Sequence, residues 1–374
     1  MTQIYLDFNA TTPIAPAVAE AMRQAIDGPF GNPSSDHWAG RAAKEALERA
    51  RAQIASLLRC DPSEVVLTSG CTEANNLALK GIVFARGTSA HIITTEVEHP
   101  SILNVCRFLE RQGAAVTYLR VDGFGRVDPD EVRRAVTRST VLISVMAANN
   151  EVGTMQPIAE IGRIAAELDG VVFHSDAAQA TGKIPTNVDD LGVSLLSIAG
   201  HKFYAPKGAG ALYVRSGTAF DSLLHGASHE MGRRAGTESV VLAAALGTAC
   251  ELAQAEPWSD RARELRDRFW ISLRDAFGDR VTLNGHPTER LPNTLNVSFA
   301  GCSGTAILRA MPEVAASCGS ACHSDDETPS PVLTAMGVPP ALALGAIRFS
   351  LGRTTTAEEI DFAVQRLREV VPRV

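Results

Sequence analysis

Leu195-Leu196-Ser197-Ile198-Ala199-Gly200-His201-Lys202 reads as a short apolar strand that runs directly into a glycine, a histidine and a lysine. Phe203 and Tyr204 follow, then the glycine-rich Pro206–Gly210 and a second apolar run, Gly210–Val214. A lysine at a strand end among apolar neighbours is unusual, because burial disfavours its charged form. Standing alone, such a lysine is more often a surface residue whose stem lies along apolar surface. With its proton affinity lowered, it becomes a nucleophile towards carbonyls.

Working outward, the same strand pattern recurs at Val65–Thr68, His91–Thr95, Ala115–Val121, Thr140–Met146 and Val171–His174. Amphipathic stretches separate these runs, among them Gly40–Leu58, Leu77–Ala85, Ser101–Arg111 and Pro157–Leu168, with apolar positions three and four apart. Strand, helix, strand repeated in this way predicts an α/β fold with a mainly parallel sheet and helices on both faces. The pattern changes after Glu256. A long amphipathic helix, Trp258–Ala276, leads to the runs Val281–Leu283, Thr294–Phe299 and Ile347–Leu351, and a final helix starts at Thr356. That order predicts a smaller α+β domain, and Pro257, which cannot sit inside a continuing helix, marks the boundary. The expected division is 14–256 for the large domain and 1–13 plus 257–374 for the small one.

Composition sets limits on function. The 374 residues are 45% apolar and 21% charged, an ordinary globular balance and too apolar for a disordered chain. A net charge of −7 with no basic block argues against nucleic-acid binding. The longest apolar run, Val240–Cys250, is about half of the ~20 residues a bilayer span needs. Met1–Thr12 lacks the basic start and apolar stretch of a signal peptide, so no membrane partner and a cytoplasmic location are expected. The seven scattered cysteines, an odd number, suit reduced thiols rather than a disulfide framework. Cys318-xxx-Cys322-His323 lacks a fourth nearby ligand, so no metal site is expected.

In an open α/β sheet, ligands bind beyond the carboxyl ends of the strands. Ser69-Gly70-Cys71-Thr72-Glu73 follows the first strand of the series as a glycine turn feeding a helix N-terminus, which can receive a phosphate or simply be a capped helix start. Glu98-His99-Pro100, Asn149-Asn150-Glu151 and Asp176-Ala177-Ala178-Gln179 follow three others. A strand-end acid can cap a helix or hold the proton of a heterocyclic nitrogen. Phosphate turn, Asp and Lys in one α/β domain are together the parts that hold pyridoxal 5′-phosphate.

With these residues in place, the chain resembles the cysteine desulfurases among the class V aminotransferases, of the aspartate-aminotransferase fold (fold type I), and the related selenocysteine lyases. The resemblance is carried by Tyr5–Pro13, Gly31–Ser35, Thr68–Asn76, Glu98-His99, Asn149–Glu151, Asp176–Gln179, Gly200-His201-Lys202, Arg234–Glu238, Ser320-Ala321-Cys322 and Arg348–Arg353. It implies a pyridoxal-phosphate transferase in which Lys202 carries the cofactor's aldehyde as a Schiff base and shuttles the Cα proton. His99 would stack on the ring and assist proton transfer, Asp176 would pair with the pyridine nitrogen, and Gln179 would bond the phenolate oxygen. The Cys71 backbone, Thr72 and His201 would hold the phosphate, with Thr237 joining from a neighbouring subunit. Asn150 and Arg348 would bind the substrate carboxylate, and Cys322 would be the nucleophile that takes sulfur from L-cysteine as a persulfide and leaves alanine.

The resemblance further implies a homodimer and a sulfur-acceptor protein in iron–sulfur or thio-cofactor assembly. Two features differ from housekeeping desulfurases. Ala199 stands where many have a phosphate-binding serine, and Ala227-Ser228-His229-Glu230-Met231 replaces a Gly-Gly-Gln-Glu-Arg stretch expected near the active site. Cys318 lies outside the family motif and reads as a packed or resolving thiol. Cys322-His323-Ser324-Asp325 with Pro329–Leu333 is closer to selenocysteine lyases, which keeps selenocysteine lyase, or a related C–S lyase, as the alternative. A sulfur carrier that has lost catalysis is the third reading.

Overall fold

Val, Ile, Leu and Thr dominate the runs that form the main sheet, as expected of strands buried on both faces. The computed structural model describes residues 3–318 and 328–373. In chain order the strands are β1 (Ile4–Tyr5), β2 (Val65–Thr68), β3 (His91–Thr95), β4 (Ala115–Leu119), β5 (Thr140–Ser144), β6 (Val172–Asp176), β7 (Leu195–Ala199), β8 (Gly210–Val214), β9 (Val281–Asn284), β10 (Thr294–Phe299), β11 (Val314–Ala315) and β12 (Ala346–Ser350). The main sheet has the order β2-β8-β7-β6-β5-β3-β4. Only β8 runs antiparallel to its neighbours; the pairings β7-β6, β6-β5, β5-β3 and β3-β4 are parallel. Helices α1 (Pro16–Asp27), α2 (Trp38–Leu58), α3 (Cys71–Arg86), α4 (Pro100–Arg111), α5 (Pro129–Ala135) and α6 (Ile158–Ala166) provide the crossovers and outer cover. The fold is therefore α/β with a mainly parallel sheet, as the sequence predicts.

Three predicted strands of the main sheet differ at their ends. β4 stops at Leu119 rather than Val121, and β5 at Ser144 rather than Met146. Val145 and Met146 remain buried, and beyond Ser144 the pairing thins to bonds from Val145 N and Ala147 N to the carbonyls of His174 and Asp176. Apolar sequence reports burial, which outlasts the regular ladder. The β6 run starts at Val172 and extends to Asp176, so that acid is the last strand residue rather than the first of the loop. Asp176 lies opposite Ser197 of β7 in register, three residues before the turn Gly200–Lys202.

The second sheet is antiparallel, in the order β12-β10-β9. It packs under helix Ser259–Phe277 and helix Ala357–Val370 through Phe269, Phe299 and Phe349. A short helical break separates Val240–Ala255 from Ser259–Phe277, with Pro257 inside it. The opening residues pass between the two cores: Ile4 and Leu6 join the second, Phe8 the first. That passage drives Asn9 and Ala10 beneath the C-terminal edge of the main sheet. No helix among the described residues is long and apolar enough to cross a membrane.

Candidate active site

A cavity of about 530 Å³ opens where β6, β7, the start of α3 and β12 converge. Its size is that of a small-ligand site. Asp176, Gln179, Lys202, His99, Arg348 and Cys71 all reach its wall. His201, Asn150 and Thr72 complete the set of sequence-predicted residues gathered there.

Asp176 is 5% exposed and held by three donors. Asn75 Nδ2 donates to Oδ2 at 2.7 Å, Ala178 N to Oδ1 at 2.9 Å, and the Cys71 thiol to Oδ1 at 3.3 Å. Burial, reinforced by Asp176, raises the Cys71 thiol well above its usual range, so its proton stays on sulfur. Asn75 also donates to Ser101 Oγ at 2.8 Å, and Ser101 Oγ lies 2.8 Å from His99 Nδ1. Ser101 N donates to the same His99 nitrogen at 3.1 Å, which makes Nδ1 the acceptor and assigns the neutral ring's proton to Nε2. Burial, with Lys202 adding to it and Asp176 opposing it, lowers the His99 pKa. His99 also caps α4, followed by Pro100 at the first helical position, and this fixes the ring beside the cavity.

Lys202 ends the 3₁₀ turn after β7. Its Nζ donates to the carbonyls of Asn9 at 2.7 Å and Ala10 at 2.8 Å. Burial first, then the Arg348 charge, pushes its pKa down to about 8, against the opposing pull of Cys71, Asp176 and Asp7. Beside it, His201 Nδ1 pairs with Thr11 Oγ1 at 3.2 Å, and burial with neighbouring lysines pushes that ring down to about 4. Gln179 is fixed at both ends: Nε2 donates to Asn9 O at 3.0 Å, and Oε1 accepts from Lys183 Nζ at 2.6 Å. Arg348 is 4% exposed. It donates to Asn150 O at 2.9 Å and pairs with Asp7 Oδ1 at 2.7 Å, while its Nε is buried without a partner among the described residues.

The α3 N-terminus has no side-chain cap. Glu73, which could have served, instead accepts from Ser69 N and pairs with Arg234. Gly70 turns into the helix at φ 141°, and a Cβ on Gly210 would lie 2.5 Å from the Gly70 Cα. The two glycines thus form a bare cradle facing open backbone N–H groups, the arrangement that receives a phosphate. A phosphate cradle, a fixed carboxylate and a lysine with depressed proton affinity around one cavity fit pyridoxal 5′-phosphate. Ala199 lies in the wall and offers no hydroxyl.

Two stretches tied to the site by sequence lie outside this cavity of their own chain. Thr237, expected to serve the site of a neighbouring subunit, lines a separate cavity of about 170 Å³ with Arg234 and Glu238. The Ala227–Met231 stretch does not reach the main cavity of its own chain, because Glu230 is bound bidentately by Arg51, at 2.8 and 3.0 Å, and by Leu67 N. Ser228, His229 and Met231 instead face a groove with Lys44 and Ser63. Cys322 lies outside the described residues. Sequence reading missed Asn9, Asn75, Asp7 and Lys183, which hold the predicted residues in place. Only Asn75 carried a local signal, one helical turn after Cys71.

The profile of the aminotransferase class-V family matches residues 4–362. The chain is 47% identical over 377 residues to the cysteine desulfurase IscS of Dictyoglomus turgidum, covering 100% of this chain and 95% of that protein. It is 48% identical over 376 residues to the cysteine desulfurase IscS of Methanosarcina thermophila, covering 99% and 91%. Among solved structures it superposes on a NifS-like protein with a TM-score of 0.93 and 34% identity over the whole of both chains. A structure of SspA in complex with cysteine matches with a TM-score of 0.84 and 37% identity, covering 94% of this chain and 100% of that one.

Proposed function

Because the chain belongs to the aminotransferase class-V family, we propose that it is a pyridoxal 5′-phosphate-dependent cysteine desulfurase that converts L-cysteine to L-alanine and passes the sulfur to an acceptor through a protein persulfide. The observation that carries the reading is Lys202: a half-buried amine with depressed proton affinity, facing the same cavity as a fixed carboxylate and an uncapped helix N-terminus. The cysteine desulfurase names of relatives near 47% identity, and a structural neighbour solved with cysteine, favour cysteine over selenocysteine as substrate.

In this reading the α3 backbone at Cys71, with Thr72 and His201, holds the cofactor's phosphate. Asp176 holds the proton of its ring nitrogen, and Gln179 donates to its ring oxygen. When bound, the cofactor supplies an aldehyde that captures amines and an electron sink that acidifies the substrate Cα–H. Lys202, with its proton affinity reduced, serves as amine nucleophile and as the base that takes and returns the Cα proton. Neutral His99, its proton on Nε2, can donate at that nitrogen, which the Ser101 contacts leave open. Arg348 and Asn150 bind the substrate carboxylate; the guanidinium fork suits that planar anion, and its buried Nε, without a partner among the described residues, is an available donor.

Cys322 is the proposed sulfur acceptor. Its thiolate bonds to the substrate sulfur, the Cβ–S bond breaks with its electron pair leaving towards carbon, and protonation of that carbon yields alanine. Sulfur is thereby oxidised to the persulfide level and the substrate carbon is reduced, with no outside oxidant. Thr237 of a second copy is proposed to join the phosphate site, which makes a homodimer the working form. An assay of alanine and sulfide or selenide from both amino acids tests the reading. Cysteine turnover that persists at the full rate in Cys322→Ala would remove the persulfide step, and a large kcat/KM excess for selenocysteine would overturn the substrate.

A further inference from the structure

Lys183 is 2% exposed and lies four residues beyond Gln179 in the turns that follow β6. Its Nζ donates to Gln179 Oε1 at 2.6 Å and to Asn9 Oδ1 at 3.0 Å, and among the described residues it bonds no carboxylate. A neutral amine has two N–H groups for these two oxygens, whereas an ammonium would bury a third without an acceptor. The charged groups near it point the same way. Lys202 and Arg348 both disfavour another cation, and the Asp7 carboxylate on the Asn9 segment is already paired with Arg348. From the other side, Trp258 Nε1 and Ser259 Oγ bond the carbonyls of Gly182 and Lys183 and add no charge at the amine.

The two acceptors of Lys183 meet the Lys202 amine at one carbonyl, that of Asn9. The Asn9 carbonyl accepts from both Lys202 Nζ and Gln179 Nε2, so the amide nitrogen of Gln179 must face that carbonyl and its oxygen must face Lys183. The Asn9 side chain is held in turn by Lys183 and Asn293 on Oδ1 and by Thr294 on Nδ2. We propose that Lys183 is a positioning residue, kept as a neutral amine in the folded protein, that fixes the Gln179 amide with its nitrogen on the Asn9 carbonyl and steadies that carbonyl, which also receives the Lys202 amine. The inference rests on the reading of Lys202 and Gln179 as cofactor residues.

The test uses the full chain with Lys183→Met, Lys183→Gln and Lys202→Ala. Cofactor-free protein is unfolded with urea between pH 7 and pH 10. An amine neutral when folded and protonated when unfolded makes the folding constant rise with pH, by at most about tenfold per pH unit. Wild type therefore gains on Lys183→Met as the pH rises, and parallel curves would overturn the neutral amine. Protein loaded with pyridoxal 5′-phosphate is then titrated in its visible absorbance band. Lys183→Met is expected to move the midpoint by about half a pH unit or more, and Lys183→Gln, which keeps a donor for Gln179, to bring it back towards wild type. An unmoved midpoint in Lys183→Met overturns the positioning role. If Lys183→Met does not fold, Lys183→Gln carries both measurements, with the same gain of wild type in urea and a smaller midpoint shift; absence of both overturns the proposal. A visible band that survives unchanged in Lys202→Ala overturns the cofactor reading, and the urea comparison still decides the state of Lys183.

Discussion

Raising the pH from 7 to 9 should speed capture of pyridoxal 5′-phosphate by the cofactor-free protein about tenfold and then bring the rate to a plateau. Burial and the Arg348 charge push the pKa of the Lys202 amine down from 10.5 to about 8. At pH 7 a group titrating near 8 is neutral about one-tenth of the time, against about one part in three thousand for an unperturbed lysine, a gain of roughly 300-fold in reactive amine. At pH 9 it is about nine-tenths neutral, so little remains to be gained, whereas an unperturbed lysine would still be climbing about tenfold per pH unit. Stopped-flow absorbance, with a free alkylamine run in parallel to correct for ionisation of the cofactor, reads the midpoint directly. Arg348→Gln removes the second cause of the depression and should move the midpoint upward while leaving burial in place. A wild-type rate that keeps rising through pH 10 would show an unperturbed amine, and an unchanged midpoint in Arg348→Gln would rule out the Arg348 charge as a cause.

Asp176→Asn keeps the shape of the strand end but cannot hold a heterocycle's proton, and alanine formation should fall by about 10²–10⁴-fold; a loss below tenfold would contradict the assignment. Glu230→Ala removes the buried carboxylate of Arg51, leaving it the exposed Glu48 at 3.6 Å and the Val65 carbonyl, and should cost about 3–5 kcal/mol in urea unfolding, most of it recovered when Arg51→Met is added. His174 is fully buried between Ser144 and Ser197, at 2.9 Å from each, and burial pushes its ring down to about 4. The unfolded chain takes a proton near pH 6.5 that the folded ring refuses, so stability should fall by about 3 kcal/mol between pH 7 and pH 4 through this residue. His174→Phe should flatten that part of the acid limb, and an unchanged slope would show the imidazole protonated in place.

The fold was legible where apolar sequence and ladder coincide: β2, β3, β7, β8 and β10 begin and end where their runs do. The reversed direction of β8 was not legible, because an apolar run of five residues carries no information about which way its partner points. The candidate site was legible at strand ends, where Asp176 and the Gly200-His201-Lys202 turn follow local rules. Its support was not. Asn9 meets Lys202 and Gln179 across 193 and 170 residues, and Asp7 meets Arg348 across 341, so only the closing of the two cores brings them together. Asn75 could be reached only by noticing that position i+4 from Cys71 shares its helix face. The Ala227–Met231 stretch was expected at the active site. Positive φ at Glu230 and Met231 and the buried Arg51 pair hold it on a different face of its own chain.

If the Lys202 amine is where the cofactor is held, borohydride reduction of protein loaded with pyridoxal 5′-phosphate, followed by peptide mass mapping, should leave one stable phosphopyridoxyl mark, on Lys202. A mark on Lys183, Lys207 or any other lysine with Lys202 unmodified would contradict that placement.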